Sequence, residues 1–441
     1  MSSAALGGRD INRRRFMIAS AAAVAPTANR PQRLTWPAAV SPPGPDCRAA
    51  VGWSWVREQF QLRTDQAQFS AYVLAPHPAP VRSAIAEHRA NLDQDPIGYH
   101  RAHDAAFDLA TRKSAAACLG ASYRDIAVTG SATAGLAMLY NGMRIRADQE
   151  VLTTVHDFYS TKESLRLRSI RSGISIRTIA LYTDPAAAQI DQMLDTIAAN
   201  IQPNTRCVAL TWVHSGTGVT IPIREIADHI TEINSNRSPE DRILLCVDAV
   251  HACGLLSINF ADIGCDFLVT SGHKWLFGAR GTGLIIGRPE AWRQIDPTIP
   301  NFTWITEPPP PASPPGYIQT PGGYHAFEHR WALEHAFEFQ QTIGRTAIQE
   351  RTLSQTAQLL DGLRRLPHVR LLTPYAPGLF AGIVCFTVNG TSPADTVQAL
   401  REGFDIIATT TPYATTAVRV GPSIVTSPAE VDQLLAAVAT L

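Results

Sequence analysis

A chain of 441 residues is long enough for a full core and two domains. Its 38 basic and 38 acidic residues cancel, which removes the electrostatic case for nucleic-acid binding, and no apolar run reaches the roughly 18 residues that read as a membrane span. The seven cysteines (Cys47, Cys118, Cys207, Cys246, Cys253, Cys265 and Cys385) are odd in number, scattered and without a C-x-x-C pair. Cys207, Cys246 and Cys385 sit inside apolar runs, so the set reads as small buried hydrophobes rather than a disulfide framework or a metal site.

The N-terminus carries a targeting pattern. Arg13-Arg14-Arg15-Phe16 precedes a short, alanine-rich stretch ending near Ala25. Residues 1–25 therefore resemble a bacterial twin-arginine signal, which implies a periplasmic or extracellular destination. The alternative is a disordered basic tail on a cytoplasmic protein. Residues 26–50, rich in Pro and Ala, read as a linker, and 51–120 as an N-terminal segment.

From Asp125 onward the pattern alternates. Strand-like runs at Asp125–Thr129, Glu150–Val155, Ile174–Leu181, Arg206–Val213, Ile243–Val247 and Asp266–Thr270 are mostly separated by helical spacing, as at Tyr159–Arg171, Ala186–Ile201 and Ile223–Asn234. That alternation predicts an α/β domain over 121–305, with a mostly parallel sheet covered on both faces. Gly281–Gly287 follows too closely for a helical crossover and is expected to run antiparallel. Glu307–Gly316, with six prolines, excludes regular structure and opens a loop and interface segment over 306–340. One long helix is predicted over roughly Ala332–Leu366. A smaller α+β domain occupies 341–441, with strands near Leu379–Val388 and Ala417–Val420 and a last helix after Pro428.

Ligands in open α/β sheets sit beyond the carboxyl ends of the strands. The residues there form a series: Gly130-Ser131-Ala132-Thr133 opening a helix, then His156, His214-Ser215, Asp248 with His251, and Ser271-Gly272-His273-Lys274-Trp275. A helix start rich in small and hydroxylic residues holds anions such as phosphate. A lysine after an apolar strand suits Schiff-base chemistry, which needs a fixed amine of lowered pKa. Each element alone is weak, because strand-end aspartates often cap helices and strand-end histidines are usually just satisfied polar groups.

In that order, the set resembles the fold-type I pyridoxal-phosphate enzymes, and within them the class V aminotransferase family with its isopenicillin-N-epimerase-like branch. The resemblance implies a seven-stranded cofactor domain, pyridoxal 5'-phosphate as cofactor, and a homodimer. It implies Lys274 as the Schiff-base lysine and Asp248 as partner of the pyridine nitrogen. His156 is expected to stack on the ring, with Tyr159 as a second candidate, and Ala132, Thr133, Ser271 and His273 to hold the phosphate. Thr282 is expected to reach the phosphate of the neighbouring subunit, and Arg419 to grip the substrate carboxylate. Arg330 is a further substrate-binding candidate.

Departures bear on the reaction. His251 replaces the family's glutamine and Ser215 its common asparagine, both facing the cofactor's phenolic oxygen. Thr409–Thr416 has no cysteine, which argues against a desulfurase. Phe327-Glu328 matches the family's Phe-Glu-x-Gly-Thr, but Arg330-Trp331 stands where Gly-Thr is usual. The expected activity is a Cα or side-chain transformation of an amino acid, or of an amino-acid group in a secondary metabolite, by transamination or epimerisation. A C–S or β-elimination lyase and an oxidase are alternatives. Two rivals come from other classes: a non-catalytic binding protein of the same fold, and a zinc peptidase on the H-x-x-E-H pattern His325–His329.

Overall fold

The computed structural model describes residues 51–302 and 313–441. The signal-like segment, the linker, Cys47 and most of the proline-rich loop lie outside the described residues.

Seven strands form the large sheet: β1 (Ile126–Thr129), β2 (Glu150–Thr154), β3 (Ser175–Ile179), β4 (Thr205–Thr211), β5 (Leu244–Asp248), β6 (Phe267–Ser271) and β7 (Gly283–Gly287). Their spatial order is β1-β7-β6-β5-β4-β2-β3. Only β7 is antiparallel to its neighbours, as its short connection predicts. All except β3 are buried along their whole length, which their apolar and β-branched content allows.

Period-two geometry divides each strand between two cores. Val208, Leu210, Leu245, Val247 and Leu268 join one cluster, with Ile197 and Ile226 from helices Ile190–Asn200 and Ile223–Asn234. Cys207, Ala209, Leu244, Cys246, Phe267 and Val269 join the other, with Leu136 and Leu165 from helices Ala132–Gly142 and Tyr159–Ser172. The six described cysteines are free and buried, as the apolar reading predicts.

The C-terminal unit is an antiparallel sheet of Val369–Leu371, Val384–Val388, Thr409–Thr410 and Val418–Val420, backed by helices that include Arg345–Leu363 and Pro428–Ala439. Its core also takes Ala67 and Phe69, and Ala67–Gln68 pairs in parallel with Ile406–Ile407. The core around this sheet thus draws on the N-terminal segment as well as on 341–441.

Three expectations need correction. The single helix over Ala332–Leu366 is two helices, Leu333–Ile343 and Arg345–Leu363, broken at Gly344, whose φ of 95° no helix accommodates. The helix expected from Ala186 starts at Ile190, after a single 3-10 turn at Pro185–Ala187. Pro315 opens a helical turn, Pro315–Ile318, inside a stretch expected to lack regular structure, because proline is tolerated at a helix start.

Candidate active site

The parallel strands end on one side of the sheet, and the loops that follow them gather the polar residues. After β1, Ser131 caps helix Ala132–Gly142, accepting from the Ala134 N–H at 3.0 Å. The N–H groups of Ala132 and Thr133 lie ahead of the intrahelical ladder, where an anion is favoured. The Thr133 hydroxyl lies 3.0 Å from that of Ser160. Gly283 allows β7 to pass this helix start, since a Cβ there would stand 2.5 Å from the Ser131 carbonyl carbon.

Asp248 ends β5. It is buried, and its Oδ1 accepts from the Val250 N–H at 3.1 Å. Burial pushes its carboxyl up to about 6, against the opposing pull of that N–H and of Lys274. Lys274 follows β6. Burial lowers its ammonium to about 8, opposed by Asp248 and reinforced by Arg419. An amine in that range is neutral often enough near pH 8 to act as nucleophile or base. The turn after it closes with the Phe277 N–H donating to the Lys274 carbonyl at 2.8 Å. Phe277 has a φ of 55°, uncommon for a bulky residue, and packs edge-on against Phe60 with centroids 5.3 Å apart. The lysine therefore stands on a backbone held by tertiary packing. Its Nζ is 5.8 Å from the Phe158 ring centroid.

Ser271 is buried, and its hydroxyl has no hydrogen-bond partner among the described residues. His273 is partly buried, and desolvation lowers its imidazole to about 4. His156 stacks on Tyr182, centroids 3.8 Å apart, and its Nε2 accepts from the Leu181 N–H at 3.2 Å. The Ser215 hydroxyl meets that of Tyr413, and its carbonyl accepts from Arg419 Nη1 at 3.3 Å. The Arg419 guanidinium lies over the Tyr72 ring at 4.5 Å, while the Tyr72 hydroxyl donates to the Arg419 carbonyl. Arg419 is buried and forms no ion pair among the described residues.

Other expected site residues have different surroundings. Thr282 is buried, and its hydroxyl donates to the Ala279 carbonyl at 2.6 Å; Arg280 and Gly281 are the exposed residues of that turn. The Thr282 hydroxyl is therefore directed into its own chain. Arg330 pairs with Asp108, which also binds Arg112, and contacts His325 Nε2 at 3.3 Å. The zinc reading of His325–His329 fails on geometry. His325 precedes the helix Phe327–Trp331 and faces the cationic Arg330, while His329 Nδ1 lies 3.0 Å from the Arg280 carbonyl. The two imidazoles do not converge as ligands at i and i+4 of one helix would.

Sequence reasoning missed Tyr72, Tyr182, Tyr413 and the structural Asp157. The Asp157 carboxylate accepts from the Thr153 hydroxyl at 2.9 Å, the Thr154 N–H at 2.7 Å and the Thr211 N–H, tying the ends of β2 and β4 together. A strand-end aspartate is a visible signal of such a staple. Tyr72 gives none, because it meets Arg419 from 347 positions away.

A helix start with free amides, an unpartnered buried hydroxyl, a buried carboxylate and a desolvated lysine fit a phosphorylated pyridine aldehyde. They suit an α/β enzyme that holds pyridoxal phosphate. The aminotransferase class-V model matches residues 78–434, and the chain belongs to that family of pyridoxal-phosphate enzymes. It is 27% identical over 406 residues to isopenicillin N epimerase from Streptomyces clavuligerus, covering 88% of this chain and 97% of that one. It is 23% identical over 288 residues to a cysteine desulfurase from Serratia proteamaculans, covering 64% and 66%. Among solved structures, C-DES with glycine covalently linked to its pyridoxal phosphate matches with a TM-score of 0.78 at 22% identity, over 87% of this chain and 98% of that one. The cysteine desulfurase CsdA from Escherichia coli matches with a TM-score of 0.74 at 17% identity, over 88% and 98%.

Proposed function

We propose that this enzyme changes the bonding at Cα of an amino acid, or of an amino-acid group carried by a larger secondary metabolite, by an epimerase- or transaminase-type reaction. The observation that carries the reading is Arg419: a buried guanidinium near Lys274 and His251 with no carboxylate partner among the described residues. Such a cation suits a substrate carboxylate, which offers it two oxygens. Similarity over almost the full length to an isopenicillin N epimerase supports the choice of reaction. The Tyr413 loop supports it too, since Thr409–Thr416 offers no cysteine for desulfuration.

Pyridoxal phosphate supplies an electron sink for negative charge at Cα. The protein's part is positional and acid–base. Arg419 orients the carboxylate, Asp248 provides the negative partner for the ring nitrogen, and Lys274 takes and returns the Cα proton. Tyr413 stands over Gly216, where a Cβ would come 2.8 Å from the ring, and closes the site on the side of Ser215.

Arg419→Gln is expected to raise KM for amino-acid substrates roughly 10- to 150-fold, the range for losing hydrogen bonds to a charged group. Amines without a carboxylate should be unaffected. Equal losses on both substrate types would show that Arg419 does not bind the carboxylate.

Homodimerisation and export by the twin-arginine route complete the proposal. Lysine at both Arg13 and Arg14 should retain the protein in the cytoplasm, measured by cell fractionation. Unchanged export would remove that part of the reading.

A further inference from the structure

His251 and Trp275 form a buried pair behind the lysine. Trp275 directly follows Lys274, and its indole Nε1–H donates to His251 Nδ1 at 3.1 Å, with both residues buried. An indole N–H is a donor only. His251 Nδ1 must therefore carry a lone pair, and a neutral ring then bears its proton on Nε2. Burial, together with the positive charges of Lys274 and Arg419, disfavours the imidazolium and favours a neutral ring. The hydrogen bond that the His251 ring makes among the described residues is the one at Nδ1, which leaves Nε2 available to a ligand.

The tryptophan is held so that it cannot turn away. Its carbonyl accepts from Gln340 Nε2 at 2.9 Å. A Cβ on Gly254 would stand 2.5 Å from that carbonyl, and one on Gly382 would stand 2.7 Å from the indole Cη2. Both glycines leave room for this one placement of the ring.

We infer that Trp275 is a positioning residue that fixes His251 as its Nε2–H tautomer, so that the imidazole is a permanent hydrogen-bond donor to the phenolic oxygen of the bound cofactor. The need for such a device follows from the residue type. A glutamine carries an N–H₂ whichever way it is polarised, whereas a histidine can present a donor or a lone pair. A lone pair turned toward a phenolate oxygen would repel it. A donor stabilises the negative oxygen and loosens its hold on the proton it shares with the cofactor's link to Lys274. The inference rests on the cofactor assignment and not on the proposed reaction.

The test is a pH titration of the holoenzyme's visible absorbance in the native protein, Trp275→Phe, His251→Gln and the double variant, with ¹⁵N spectra of histidine-labelled protein. Trp275→Phe should raise the midpoint by about 0.5–1 pH unit, a three- to tenfold change matching one neutral hydrogen bond. His251→Gln should stay near the native midpoint. Adding Trp275→Phe to His251→Gln should then shift nothing, because the amide needs no tautomer to be chosen. The same upward shift in both backgrounds would mean that Trp275 acts by packing, and would overturn the inference. The ¹⁵N spectrum of the native protein, with the His251 signal identified by its loss in His251→Gln, should show the Nε2–H form. An Nδ1–H or charged ring there would overturn it even if Trp275→Phe does not fold. Failure of the cofactor assignment would instead appear as the absence of a visible band in the native protein.

Discussion

Lys274→Ala is expected to abolish the covalently bound cofactor's visible band and to lower Cα-proton exchange by about 10²- to 10⁴-fold, the range for losing a positioned general base. The loss should exceed that of any other lysine change, since the chain has only two others, Lys113 and Lys162. The fold should survive. Lys274 forms no ion pair among the described residues, and burial disfavours its charged form, so removing it takes away an unfavourable desolvation. Measured by deuterium incorporation from heavy water and by thermal melting, the result should be an inactive, colourless protein with an undiminished Tm. Retained exchange at the native rate would contradict the role given to Lys274.

Asp248→Asn should cost about 10²- to 10³-fold in kcat, the scale for removing one preorganised electrostatic group from an active site. Asparagine keeps the volume and the oxygen that accepts from Val250 N–H, so the change isolates the charge. Burial pushes the Asp248 carboxyl up to about 6, against the pull of the Val250 N–H and of Lys274. Below that value a growing fraction is protonated and unable to pair with a pyridinium, so cofactor affinity should fall as the pH drops from 7 to 5. The Asn variant should bind more weakly at pH 7 and lose that pH dependence. Equilibrium titration of the apoprotein with cofactor measures both, and an unchanged pH profile in Asp248→Asn would show that another group is responsible.

The sheet was legible because strands buried on both faces are unbroken apolar and β-branched runs, and such runs end where polar residues begin. Each parallel strand therefore pointed to the residue after it, and Asp248, Ser271 and Lys274 stand at those ends. Helices outside the sheet were harder. Pro96–Leu119 buries Asp108, Thr111, Arg112, Ala115 and Ala116, polar or small residues that draw no apolar stripe. The break at Gly344 was missed because helical spacing continues through a residue whose positive φ is visible only in the backbone. Long-range partners left no local trace: Tyr72 supports Arg419 from 347 positions away, and Tyr413 meets Ser215 from 198. Side-chain direction was equally hidden, since no spacing reveals that the Thr282 hydroxyl turns to Ala279 or that the Trp275 indole fixes His251.

The central claim is that Lys274 holds the cofactor, and the most direct measurement is borohydride reduction of the yellow protein followed by peptide mass mapping. The prediction is one pyridoxyl phosphate adduct per chain, on the peptide containing Lys274. An adduct on Lys113 or Lys162, or a reduced protein with no adduct, would contradict it.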